Sequence, residues 1–172
     1  MLEQITHVNE QVIEGLFQIY AESMSDLEAD FTDKAEMKKS YASFLKGFIE
    51  QPNQLVLIEK IDGKWVSGLR VIEEKPGKWF VEAVETAPAY RNNGYGKKLL
   101  LDTIAFLKNK NADRIECTIA KDNTASIKVH SACGFQKTNE SPINCWGELE
   151  EGTELYRFSV SKNNHPRKGP RP

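Results

Sequence analysis

Two glycines and two cations stand close together in the segment Arg91-Asn-Asn-Gly94-Tyr-Gly96-Lys97. The residues before it, Trp79 to Thr86, are rich in aromatic and β-branched types and predict a strand. Pro88 ends that strand, because proline cannot donate a ladder hydrogen bond, and an apolar pattern of helical period begins at Gly94. A glycine-rich loop that enters a helix leaves backbone N–H groups unpaired at the positive end of the helix dipole. The segment therefore predicts an anion site suited to a phosphate or a pyrophosphate.

Two common phosphate loops are excluded by the residues around Gly96. A Walker loop needs a hydroxyl residue after its Gly-Lys pair, and here Lys98 follows Gly96-Lys97. A dinucleotide-binding loop needs a third glycine three positions after the second, where this chain has Leu99. The remaining pattern is Arg91-x-x-Gly94-x-Gly96, preceded by a strand and a proline.

A second motif extends from Asn123 through His130 to Gly134-Phe135. Asn123 can begin a helix, a ring-bearing residue follows seven positions later, and Gly-Phe closes the segment. The distance from Gly94 to Asn123 leaves room for one helix and one strand. In type, order and spacing the two motifs resemble those of the GNAT superfamily of N-acetyltransferases, and the resemblance covers roughly residues 54–160.

The resemblance implies the GNAT fold, an α/β (α+β) architecture. It consists of a central mixed, mostly antiparallel sheet of six to seven strands, with a splayed parallel pair and about four flanking helices. Local patterns agree, since Asp62-Gly63 is a strong hairpin signal and Asn9 and Asp33 are good helix caps. Strands are predicted near 3–8, 54–60, 64–74, 79–86, 114–120, 135–138 and 154–160, and helices after Asn9 and over 34–50, 94–110 and 123–133.

The resemblance also implies a cofactor, acetyl-CoA, and residues that bind it. The backbone amides of the loop would hold the pyrophosphate; these residues are Asn92, Asn93, Gly94, Tyr95, Gly96 and Lys97. Arg91 and Lys97 would add positive charge, although Lys97 is equally well explained as a solvated helix residue. Backbone groups of Val84 and Thr86 would pair with the pantetheine arm and polarise the thioester. Asn123 would hydrogen-bond pantetheine, cap its helix, or do both.

Three residues are candidates for proton transfer. Glu82 and Glu85 lie on the predicted central strand, where carboxylates are unusual without a task, and strand alternation predicts that they face opposite sides of the sheet. Either could be the base that deprotonates the acceptor, and a water chain could replace both. His130 stands where the family usually has a tyrosine that acts as general acid. It is either that acid or a tolerated polar helix residue, and its two-turn separation from Asn123 predicts that both face the cofactor.

The acceptor is less constrained by the sequence. The segment from Glu22 to Asp33 is acidic and would border the acceptor site of the GNAT fold, so it favours a cationic substrate by electrostatic steering. The alternative is a solvated loop with helix-capping acids. The expected function is acetyl transfer to a primary amine of a small, cationic molecule. A protein or peptide N-acetyltransferase and a CoA-binding module without turnover are the alternatives.

Composition sets broader limits. The chain has 172 residues and a net charge of −2, which predicts one domain over 1–160 and gives no bulk attraction to nucleic acid or an anionic membrane. No apolar run approaches the length of a membrane span, and the start of the chain lacks the pattern of a signal peptide. Three cysteines suit a reducing cytoplasm, and the three scattered histidines predict no metal site. A basic, proline-containing flexible tail is predicted over 161–172, and a homodimer is left open.

Overall fold

In a computed structural model that describes residues 1–161, seven strands form one sheet in the order β1-β2-β3-β4-β5-β7-β6. Neighbouring strands are antiparallel except β4 and β5, which are parallel. This mixed sheet confirms the predicted fold class. The strands are β1 (Leu2–Ile5), β2 (Gln54–Ile61), β3 (Lys64–Lys75), β4 (Lys78–Thr86), β5 (Arg114–Ala120), β6 (Gln136–Lys137) and β7 (Thr153–Ser159).

Within residues 1–161 five α-helices accompany the sheet, one more than the four predicted. They are α1 (Glu10–Ile19), α2 (Ala21–Leu27), α3 (Lys34–Ile49), α4 (Tyr95–Asn109) and α5 (Thr124–Ala132). The predicted caps are present: Asn9 Oδ1 accepts from the Val12 amide at 2.8 Å, and Asp33 Oδ1 accepts from the Glu36 amide at 2.8 Å. The helix that the sequence analysis missed is α2, which occupies the first half of the acidic segment. The predicted tail, apart from its first residue, lies outside the described residues.

The helices pack on the two faces of the sheet and create two cores. Alternate residues of β2 show the division, because Leu55 and Leu57 pack with α4 and α5, whereas Val56 and Ile58 pack with α1 and α3. Such a strand is buried on both faces, which explains its nearly continuous apolar sequence. None of the helices within residues 1–161 has both the length and the apolar character needed to cross a membrane.

The parallel pair separates along its length. Strands β4 and β5 are paired only from Lys78↔Arg114 to Phe80↔Glu116. Beyond Phe80 the two strands diverge. In the chain, α4 connects the end of β4 to the start of β5. The carboxyl ends of β4 and β5 and the first turns of α4 and α5 therefore surround one opening in the sheet.

Candidate active site

The loop before α4 presents backbone amides. The first hydrogen bond of this helix runs from the Lys98 amide to the Gly94 carbonyl at 3.0 Å, so the amides of Tyr95, Gly96 and Lys97 precede it and are available to a ligand. The Asn93 side chain shapes the loop by donating from Nδ2 to the Arg91 carbonyl at 2.8 Å. This geometry fits an anion at the start of α4.

The two loop glycines serve different purposes. Gly94 has a φ of 80° at the helix cap, with open space around it, so its backbone conformation is what requires glycine. Gly96 has ordinary φ, but a Cβ there would lie 3.4 Å from Thr86 Oγ1 and 3.9 Å from Val129 Cγ1. Gly96 thus lies between β4 and α5, where a side chain would occupy the space through which a ligand must reach the helix amides.

Arg91 is turned away from these amides. Its Nε donates to the Thr86 carbonyl at 3.1 Å, and its Nη2 pairs with Glu22 of α2 and lies 3.5 Å from Glu85 Oε1. The guanidinium therefore connects the loop to α2. Its hydrogen bond to the Thr86 carbonyl also engages a backbone group that was predicted to pair with pantetheine. Asn92, with a φ of 60°, and Lys97 are both exposed at the loop surface.

A gap cavity of about 220 Å³ fills the space between the diverging strands. Val84 and Ala83 line it from β4, and Asn123 and His130 line it from the α5 segment. Asn123 Oδ1 caps α5 by accepting from the Ser126 amide at 3.1 Å. Because the same side chain carries a donor at Nδ2, the cap is compatible with a hydrogen bond to a cofactor.

A β-bulge at Ala83 corrects the predicted faces of Glu82 and Glu85. Glu82 pairs with Arg70, and Glu85 pairs with Gly68, so three steps along β4 oppose two along β3. Ala83 has a φ of 51°, and one extra residue in a strand shifts its alternation. Both carboxylates consequently face the side of the sheet covered by α1 to α3. The prediction of opposite faces was wrong, because alternation assumes a regular strand.

The bulge is held from α1. The hydroxyl of Tyr20 donates to the Ala83 carbonyl at 2.8 Å. Burial raises the pKa of Tyr20 well above its ordinary value, so the phenol keeps its proton and remains a donor at any physiological pH. No local signal in the sequence links Tyr20 to β4.

The two carboxylates have different partners. Glu82 Oε1 accepts from Arg70 Nε at 2.7 Å, which ties this carboxylate into an ion pair. Glu85 Oε2 accepts from the Ser23 hydroxyl at 2.6 Å, and its other oxygen lies near Arg91. Glu85 lines a second cavity, described next, whereas Glu82 lines the gap cavity.

The second cavity, here called the α2–α3 cavity, has a volume of about 530 Å³ and lies between α2, α3 and β4. Ala83 and Val84 line it as well as the gap cavity, so the two spaces adjoin at the bulge. Met24 and Leu27 contribute from α2 and Tyr41 and Phe44 from α3. None of the acids between Glu22 and Asp33 lines this cavity, and Glu22 instead pairs with Arg91. The carboxylate on the cavity wall is Glu85 of β4.

His130 is buried, with 3% of its surface exposed. Its Nδ1 lies 2.8 Å from the Ser126 carbonyl, which requires the hydrogen on Nδ1, and its buried Nε2 has no hydrogen-bond partner among the described residues. Burial lowers the pKa of the imidazole. The ring is therefore neutral at neutral pH and its Nε2 is an acceptor, and His130 is one of the residues that line the gap cavity.

Across residues 1–161 there is no group of three or more histidine, cysteine or acidic side chains that could hold a metal ion. Two residues of the site escaped sequence analysis, Tyr20 as the support of the bulge and Arg70 as the partner of Glu82. A lone arginine within the apolar strand 64–75 is the signal that could have identified Arg70.

Part of the sequence is similar to a known acetyltransferase. Over 59 residues the chain is 32% identical to aminoglycoside N(6')-acetyltransferase type 1 of Salmonella typhimurium, a match covering 34% of this chain and 41% of that protein. The match thus spans about two fifths of the curated relative.

Solved structures match almost the whole chain. PaiA N-acetyltransferase from Thermoplasma acidophilum in complex with coenzyme A has a TM-score of 0.68 at 15% identity, covering 93% of this chain and 99% of that one. PseH of Campylobacter jejuni in complex with acetyl coenzyme A has a TM-score of 0.66 at 13% identity, covering 94% and 99%. These likenesses show the shared fold. The model of the acetyltransferase (GNAT) family matches residues 16–135, more than half of the sequence, so the chain belongs to that family.

Proposed function

We propose that this protein transfers the acetyl group of acetyl-CoA to the primary amine of a small molecule. The molecule is a cation at neutral pH because this amine is protonated there. The observation that carries the proposal is the junction of two cavities at Ala83 and Val84. Asn123 and Ser126 at the start of α5 line the gap cavity, and the α2–α3 cavity contains a carboxylate. An acyl donor and an amine entering from these two sides would meet at the bulge.

The residues of the gap fit the cofactor. The amides of Tyr95, Gly96 and Lys97 suit the pyrophosphate, and the space beside Gly96 suits its approach. The backbone of Val84 and Thr86 and the side chain of Asn123 would hold the pantetheine arm. Arg91 would contribute charge only after leaving Glu22, Glu85 and the Thr86 carbonyl. Bound acetyl-CoA would supply a thioester whose carbonyl carbon accepts the amine nitrogen.

Glu85 is our candidate for the base. It lines the α2–α3 cavity beside the bulge, and its partners are the Ser23 hydroxyl at 2.6 Å and Arg91 Nη2 at 3.5 Å. Glu82 is tied to Arg70 at 2.7 Å and is better suited to positioning. An ammonium ion must lose a proton before its nitrogen can attack a carbonyl carbon, and a carboxylate at this place can take that proton directly or through one water.

His130 is a less favourable proton donor than its position suggests. Donation to the leaving thiolate needs hydrogen on Nε2, and therefore an imidazolium, because Nδ1 holds its hydrogen on the Ser126 carbonyl. Burial lowers the pKa of His130, so that form is scarce at neutral pH. We propose that His130 protonates the thiolate mainly under acidic conditions and that solvent does so otherwise.

The test combines binding with turnover. Calorimetry measures acetyl-CoA affinity, and thiol release together with mass spectrometry of the products measures acetylation across a panel of small amines and peptides. We expect tight acetyl-CoA binding and acetylation of small amines. Failure to bind acetyl-CoA would overturn the cofactor assignment, binding without turnover would favour a CoA-binding module, and acetylation confined to peptides would favour a protein N-acetyltransferase.

A further inference from the structure

We infer that the acceptor is a primary amine attached to an apolar body, such as an aromatic ring or an alkyl chain, bound in the α2–α3 cavity. The inference rests on the proposed function and adds the substrate class. It differs from the sequence-based expectation that the acidic segment selects acceptors with additional positive charge.

The walls of the cavity are mainly apolar. Aromatic rings and the side chains of Met24, Leu27 and Met37 supply most of the wall, and the hydroxyls of Ser23 and Ser40 also line it. The aromatic residues are Tyr20, Phe31, Tyr41 and Phe44. Burial raises the pKa of Tyr41 to about 12 and that of Tyr20 further, so both phenols are uncharged. A cavity of about 530 Å³ with such walls falls in the size range of small-molecule sites, about 300–1,000 Å³.

The charges of the cavity match one ammonium group. Apart from the neutral tyrosines, the ionisable residues that line it are Arg70 and Glu85. The Arg70 guanidinium is balanced by Glu82 and stacks on the Phe44 ring, with Cζ 5.0 Å from the ring centroid. Glu85 Oε1 lies 3.5 Å from Arg91 Nη2, but Arg91 does not line the cavity, so Glu85 is the carboxylate on the wall that can meet the reacting amine. A second ammonium group would find no further anion on the cavity wall and would face Arg70.

The amphipathic arrangement of α2 strengthens this assignment. Its acids lie outside the cavity, whereas Met24 and Leu27 line it. Leu27 is 48% exposed and Phe44 is 44% exposed, although both are large apolar side chains. Exposed apolar groups that rim a cavity are typical of a binding site, and an apolar body in the cavity would cover both.

The first experiment compares amines that differ only in the body. Hexylamine and 1,5-diaminopentane have equal numbers of non-hydrogen atoms, and the second replaces a terminal methyl by an ammonium. We expect kcat/KM for hexylamine to exceed that for the diamine by at least about tenfold. Along the series from propylamine to hexylamine, kcat/KM should rise about three- to fourfold for each methylene, the effect of burying one such group. 2-Phenylethylamine should react at least as well as hexylamine.

The second experiment changes the cavity wall. Leu27→Glu adds an anion at the rim, and Leu101→Glu is its matched control, because Leu101 is similarly exposed, at 44%, on α4 and does not line the cavity. We expect Leu27→Glu to lower kcat/KM for hexylamine and to raise that for the diamine, so that their ratio falls about tenfold or more. The same ratio should stay unchanged in Leu101→Glu.

The outcomes separate this inference from the proposed function. Absence of turnover with every amine would contradict the proposed function itself. Turnover in which the diamine, spermidine or kanamycin is preferred over hexylamine and 2-phenylethylamine would overturn the apolar class while leaving acetyl transfer intact. Preference for a peptide with an apolar first residue over every small amine would also overturn it. Equal shifts in the two glutamate variants would show that the rim does not select the substrate.

Discussion

The gap cavity and the α2–α3 cavity adjoin at one bulge, yet they are built from different parts of the protein. Asn123, the cap of α5, lines the gap cavity, and the free backbone amides and two glycines lie in the short segment around Gly94. The α2–α3 cavity is made of side chains from α1, α2, α3, β3 and β4. Backbone groups bind the constant phosphate groups of a cofactor, whereas side chains can be exchanged to suit a different acceptor. Variants that act on one side should therefore leave the other intact.

The largest effect is expected on the cofactor side, from Gly96→Glu. The new side chain would start 3.4 Å from Thr86 Oγ1 and carry negative charge towards the amides of α4. Loss of two or more charge-assisted hydrogen bonds, at about 1.5–3 kcal/mol each, should weaken acetyl-CoA binding by more than about 100-fold in calorimetry. Gly47→Glu is the control, since Gly47 lies on α3 with open space around it. Normal acetyl-CoA affinity in Gly96→Glu would contradict the location of the pyrophosphate site.

On the acceptor side, Glu85→Gln should lower turnover by about 10²–10⁴-fold at neutral pH without weakening acetyl-CoA binding. The loss should shrink at high pH, where more of the amine is already uncharged. Glu82→Gln should have a smaller effect, because Glu82 is paired with Arg70. Rate profiles of both variants from neutral to alkaline pH would test this. If Glu82→Gln shows the larger, pH-dependent loss, the assignment of the base is reversed. If both losses are independent of pH, their role is structural.

His130 tests whether a side chain on the cofactor side takes part in chemistry. We expect His130→Ala to lower kcat by less than about tenfold at neutral pH, below the about 10²–10⁴-fold of a typical general acid. The loss should grow as pH falls, because only the imidazolium can donate from Nε2. A loss above 100-fold at neutral pH would show that His130 is the main acid. His130→Tyr supplies a phenol donor and should restore activity at neutral pH if a proton is required there.

The same residue has a predicted effect on stability. The folded-state pKa of His130 is lowered below the ordinary value of about 6.5, so the unfolded chain binds more protons in the window below that value. The contribution of His130 is thus neutral above about pH 6.5 and becomes destabilising as pH falls through the window. Denaturant titrations of wild type and His130→Ala should show a smaller loss of stability on acidification in the variant.

The smallest effect is expected where the two sides join. Tyr20→Phe removes the hydrogen bond to the Ala83 carbonyl and should cost about 1 kcal/mol of unfolding free energy. The bulge at Ala83 sets the position of Glu85, which follows two residues later. We therefore expect kcat to fall several-fold while acetyl-CoA affinity stays constant. Tyr41→Phe is the control, since Tyr41 lines the same cavity from α3 without that bond. If the two substitutions lower kcat equally, the hydrogen bond of Tyr20 does not control the geometry of the bulge.

The sequence alone determined the local features. A glycine with positive φ at the start of α4, the asparagine cap of α5 and the hairpin at Asp62-Gly63 follow from residue types over a few positions, so these local features and most strands were predictable. The family resemblance followed from the type, order and spacing of the two motifs, and the resemblance implied the mixed sheet with its parallel pair. Local patterns are sufficient here because a helix cap or a turn depends on neighbours in the chain.

The tertiary structure alone decided the acceptor side. Strand alternation placed Glu82 and Glu85 on opposite faces, and the bulge brought both to one face through an extra residue that Tyr20 supports from 63 positions away. The acidic segment predicted attraction for cations, but as a helix it directs Met24 and Leu27 into the cavity and leaves its acids outside. Which side of a helix faces a cavity, and which strand residue is displaced, depends on contacts between segments distant in sequence, and no local pattern contains that information.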